Sequence, residues 1–162
     1  METDENNLEN LKKNYKEIQE KYNLPSFEEL NKDFQIEKAA ENETDFLLRE
    51  IRKLVAERLF NYLRFIETLL NPTAVPMFVY SVIKTLDVKE KDKLTEVYKK
   101  LAKKEVDLIE LDIDSTEEKE VKFINDSYRL WQDIKKDILE VVKMIRKNWD
   151  SKTEENRKDY FG

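Results

Sequence analysis

The chain contains no cysteine and no histidine, and its one glycine is the final residue, Gly162. These absences exclude most site chemistry. Without Cys or His there is no zinc finger, no thiol or imidazole catalytic dyad, no His-ligated haem and no disulfide framework. Without internal Gly there is no Walker loop, no dinucleotide fingerprint and no nucleophile elbow. Tight hairpins depend on Gly or Asn at positive φ, so the same shortage disfavours a sheet-rich fold. The lack of cysteine fits a reducing compartment.

Long apolar runs are also missing, and no segment reads as a span of ~30 Å of hydrocarbon. Met1 to Asn10 carries Glu2, Asp4, Glu5 and Glu9, where an export signal is basic and then apolar. The expected setting is therefore cytoplasmic, with no membrane partner. The Asn-Xaa-Ser/Thr matches at Asn42 and Asn125 are read as chance, because glycosylation requires a secretory route.

What remains is a chain of 162 residues, 41% charged and 40% hydrophobic, with a net charge of −6. A chain of this length buries roughly 70% of its unfolded surface as one domain and needs no metal or disulfide to build a core. Leu8, Leu11, Tyr15, Ile18 and Tyr22 recur at three-four spacing and predict a helix from Asn7 to Tyr22 with a narrow apolar seam. Such a seam suits a partner helix or a second copy of the chain. The ordinary alternative folds it back onto its own bundle. Pro25 breaks the helix, and Ser26 with Glu29 forms a capping box that opens a short helix anchored by Phe27, Leu30 and Phe34.

Phe46 to Leu70 is the longest apolar-rich helix candidate, with an axis of about 35 to 40 Å. Its polar ridge, Glu50, Lys53, Glu57, Asn61, Arg64 and Thr68, leaves apolar residues in most other directions, so it is expected to be a central strut contacted on several sides. Asn71 and Pro72 stop it, and Pro76 opens a further helix expected to form a buried hairpin with it.

Leu94, Val97, Tyr98 and Leu101 mark an amphipathic helix extending to Asp107. Ile109, Leu111 and Ile113 then alternate with acids, which predicts an irregular connector or a helix end, since a strand without a partner is unstable. Ser115 with Glu118 reads as a second capping box, followed by a long helix to Trp149 along which Tyr128, Trp131 and Trp149 belong to the apolar stripe. Beyond Asp150 the pattern is polar, leaving Tyr160 and Phe161 as an isolated pair. The resulting expectation is all-α: a single-domain antiparallel bundle of about five to six helices, divided into an amphipathic helix at 1–24, a core at 25–150 and a polar tail at 151–162.

Charge is unevenly distributed along the chain, acidic through Asp45, basic from Phe46 to Ile109 and acidic again from Glu110 to Glu120. Arg49, Arg52 and Lys53, with Lys99, Lys100, Lys103 and Lys104, could form a phosphate-facing patch if they converge, which makes nucleic acid the alternative partner. The competing reading is ordinary surface pairing, as for Glu96 four residues before Lys100. Asp112 and Asp114 are the best local candidates for a hard cation. Glu117 and Phe123 stand where an EF-hand needs Gly and Glu, and acids there favour a first helical turn in any case. No metal, cofactor or catalytic residue is assigned, and the chain reads as a non-enzyme.

The run from Leu24 through Glu37, followed by the Leu/Arg-rich strut ending in Leu69, Leu70, Asn71 and Pro72, resembles a group of small uncharacterised archaeal all-helical proteins. The resemblance covers about a third of the chain and implies a helical fold without implying any activity.

Overall fold

The computed structural model describes residues 2–41 and 44–161, with side chains described from 5 to 158; the Asn42 match and the Tyr160–Phe161 side chains lie outside the described residues. The fold is all-α, with no strand among the described residues. Its helices are α1 (Glu2–Tyr22), α2 (Phe27–Phe34), a 3-10 helix (Ile36–Glu41), α3 (Leu47–Leu70), α4 (Met77–Ile83), α5 (Val88–Ile113) and α6 (Glu117–Phe161).

The helix boundaries show how a chain without internal glycine ends its helices. Asn23 closes α1 at φ 53°, and Leu24 N–H donates back to Gln19 O at 3.3 Å. Gln35 closes α2 at φ 55°, its N–H donating to Asn31 O at 2.9 Å. Both occupy the left-handed position that glycine ordinarily fills. The Ser26–Glu29 capping box is formed: Glu29 N–H donates to Ser26 Oγ at 3.2 Å, and Ser26 N–H to Glu29 Oε2 at 2.8 Å. An equivalent box, not anticipated from the sequence, opens α5 between Asp87 and Glu90.

Besides α1, which begins at Glu2 instead of Asn7, three boundaries differ from expectation. α5 continues to Ile113, because Leu111 turns into the core while Ile109 and Ile113 share the outer face four residues apart. α6 starts one residue later than a Ser115 cap would place it; Thr116 Oγ1 accepts from Lys119 N–H at 3.3 Å, and Ser115 is used elsewhere. α6 also runs past Trp149 to Phe161.

The chain divides into two compact units, Met1–Asn61 with Lys103–Trp131, and Tyr62–Ala102 with Gln132–Gly162. α3, α5 and α6 each contribute a segment to both units.

In the first unit, Tyr15 is fully buried, packs edge-on against Phe27 at 5.6 Å and donates its hydroxyl to Pro25 O at 2.6 Å. Phe34 and Trp131 pack at 6.4 Å, and Ala56, Leu111 and Phe123 form a cluster joined by Phe60 and Leu108. In the second unit, Leu63, Ile66, Val82, Leu94, Leu101 and Ile134 are buried. Phe78 lies edge-on to Trp149 at 4.8 Å.

α3 is enclosed along one broad face rather than on all sides. Ile51, Val55, Leu59, Leu63 and Ile66 are buried, whereas Phe65, and Phe46 just ahead of the helix, are exposed. α4 buries only its end, Val82 and Ile83, and leaves Met77 87% exposed, so it is not the fully buried hairpin arm expected. Trp131 joins the core as expected, but Trp149 remains 41% exposed.

Candidate functional site: interaction surfaces and a buried ionic centre

Two of the five seam residues of α1 are covered within the chain. Leu11 and Tyr15 are buried; Leu8, Ile18 and Tyr22 are half-buried. α1 packs on the 3-10 helix and α2, which Pro25 and the Ser26 cap fold back beneath it. Tyr22 donates its hydroxyl to Glu117 Oε2, and Lys21 Nζ stands 3.4 Å from the same oxygen. These contacts hold the Glu117 carboxyl below its usual range, the tyrosine hydrogen bond contributing most. The seam therefore packs against its own unit, and Leu11 and Tyr15 have no exposed surface to offer an outside helix.

Two of the basic residues, Arg52 and Lys104, are buried. Arg52 is 7% exposed and bridges two carboxylates, Glu120 at 2.9 Å from Nε and Asp112 at 3.1 Å from a terminal nitrogen. Glu120, 4% exposed, also accepts from Ser115 Oγ at 2.8 Å, and Arg49 Nε lies 4.0 Å from its other side. One guanidinium on α3 thus binds the end of α5 and the start of α6, fixing the turn at 114–116. The fork of an arginine suits two acceptors at once, a geometry a lysine cannot supply.

Lys104 is 8% exposed, with Nζ 3.1 Å from Asp107, 4.0 Å from Asp126 and 5.1 Å from the Phe123 ring centre. It lines a cleft of about 270 Å³ together with Lys119 and Lys122, which pair with Asp114 and Asp126. Lys53 pairs with Glu50, Lys99 with Glu96 and Lys100 with Asp133, at 2.8, 2.9 and 2.7 Å. The hydrogen bond to Asp133 raises the Lys100 ammonium above its ordinary range. Arg49 stays half-exposed against the Phe46 ring. Lys99 and Lys100 belong to the second unit and the other five ridge residues to the first. Arg52 and Lys104, turned onto internal carboxylates, present little charge to an outside polyanion.

Asp112 and Asp114 turn to different cations, Arg52 and Lys119. Among the described residues no group of three or more acids is placed to hold a metal ion.

Another surface emerges on α5 within the first unit. Val106, Ile109 and Ile113 are 63%, 56% and 82% exposed, spaced three and four apart and therefore on one helix face. Across the helix from them, Lys104 and Leu111 are buried and Leu108 is half-buried. α5 consequently carries two apolar stripes, one packed and one bare. The spacing that marks the bare stripe is present in the sequence, but the interleaved Leu111 disguises it as a two-residue alternation. The second unit also exposes apolar side chains, among them Leu139 and Val142 on α6.

Among the described residues, no helix is long and apolar enough to cross a membrane. No family model, no curated protein and no solved structure matches the chain.

Proposed function

We propose that this protein is a non-enzymatic helical interaction module of the cytoplasm that binds another protein chain or a second copy of itself. The observation carrying this reading is the bare stripe Val106, Ile109 and Ile113, presented on a helix whose opposite side is anchored in a core. Single exposed apolar residues are normal on a soluble protein. Three on one face of one rigid helix form a contiguous strip of the kind that protein interfaces bury. The lack of cysteine fits the cytoplasmic setting.

The contact surface in this reading is α5 instead of the α1 seam. Its test compares the wild-type chain with an Ile109→Glu/Ile113→Glu variant, each cross-linked in extract of the native cell. The variant is expected to lose the cross-linked products. An identical set of products from both chains overturns the reading.

A further inference from the structure

The flanks of the α5 stripe carry information about what covers it. Lys103 and Glu110, seven residues apart, lie on the same flank of Val106 and Ile109 by helical spacing. Both are exposed, and among the described residues neither side chain has an ion-pair or hydrogen-bond partner. This is uncommon in a chain where most of the ridge cations are already paired. On the opposite flank stand Glu105 and Asp112, and Asp112 is held by Arg52 at 3.1 Å.

We propose that the occupant of the stripe is the same stripe on a second copy of this chain, the two α5 helices packing antiparallel about a two-fold axis; this rests on the interaction reading above. In an antiparallel pair like flanks meet, so Lys103 of each copy faces Glu110 of the other, and the symmetry makes that contact twice. The same register sets Val106 of each copy against Ile109 of the other. A parallel pair would instead bring opposite flanks together and set Glu110 of each copy against Glu105 of the other, acid against acid. The flank is thus self-complementary in one orientation only. A strip of this size predicts a weak dimer that forms with rising concentration.

Sedimentation equilibrium of the full chain across the micromolar to millimolar range tests the proposal, with circular dichroism verifying that each variant is helical. The wild type is expected to rise from its monomer mass of 19.6 kDa toward twice that value. Lys103→Glu alone and Glu110→Lys alone each turn two attractive pairs repulsive and are expected to weaken association about tenfold. An equimolar mixture of the two variants restores opposite charges at both contacts and is expected to recover wild-type association. A wild type that stays at 19.6 kDa throughout, or a mixture no tighter than its components, overturns the proposal. The broader reading fails separately: it falls only if Ile109→Glu/Ile113→Glu leaves every cross-linked product unchanged, whereas a monomeric wild type whose products vanish in that variant overturns the second copy alone.

Discussion

Arg52 and Glu120, 68 residues apart in the chain, meet at 2.9 Å with both side chains buried. Burying the two charges costs several kcal/mol each, so the pair is stable only because every partner is present: Asp112 on the guanidinium, and Ser115 with Arg49 on the carboxylate. Removing one member leaves the other charged in a dry site. Glu120→Ala is expected to destabilise the chain by about 3 to 5 kcal/mol in urea unfolding. The paired replacement Arg52→Met/Glu120→Leu, which leaves no buried charge, is expected to cost much less than Glu120→Ala. If the double variant is the less stable of the two, the pair contributes more than its desolvation penalty removes.

Gln35 holds a left-handed backbone at φ 55° and ψ 46°, where its Cβ crowds the following carbonyl. Glycine there relieves the crowding while keeping the N–H bond to Asn31 O, and relief outweighs the extra freedom glycine gives the unfolded chain. Gln35→Gly is expected to stabilise by about 0.5 to 1 kcal/mol, read as a higher thermal midpoint. Gln35→Val, branched at Cβ, is expected to lower it.

Short-range features of this kind were legible before the fold was known. Ser26 and Glu29 lie three residues apart, and their box forms as read because both partners sit in one turn. The seam from Leu8 to Tyr22 was equally visible as a helix face, and folding back was one of two readings of it, but which residues cover it was not visible, since Pro25 and Phe27 return the chain beneath Tyr15 through a tertiary contact. Arg52 looked like a surface cation because its partners lie 60 and more residues away, at Asp112 and Glu120. The bare stripe on α5 was hidden for the opposite reason. Apolar side chains are ordinarily evidence of burial, so Ile109, Leu111 and Ile113 invited a single explanation, whereas Leu111 packs inward and its neighbours face out.

Tyr15 supplies a test of the alkaline limb. Burial, reinforced by the charges of Glu29 and Glu28, holds its phenol far above the ordinary value of 10.0. The folded state therefore keeps a proton that the unfolded chain releases above pH 10.0. The associated stability is complete below that pH and is lost as pH rises toward the folded value. Tyr15→Phe lacks the hydrogen bond to Pro25 O and is expected to be about 1 kcal/mol less stable than wild type at pH 7. Because the variant has no proton to lose at this position, the gap should narrow above pH 10 in urea unfolding. A gap that widens there would show that the phenol is not held protonated by the fold.

The two tryptophans report on the two units separately, since Trp131 belongs to the first and Trp149 to the second. Trp131 is 8% exposed against Phe34, whereas Trp149 is 41% exposed against Phe78. A Trp149→Phe chain, emitting from Trp131 alone, is expected to fluoresce to the blue of a Trp131→Phe chain and to resist acrylamide quenching. Trp131→Ala removes a buried ring and is expected to cost about 3 to 5 kcal/mol, with Trp149→Ala costing distinctly less because much of that ring already faces solvent. Equal quenching of the two single-tryptophan chains would mean that Trp131 is not enclosed by the packing of α2 and α6.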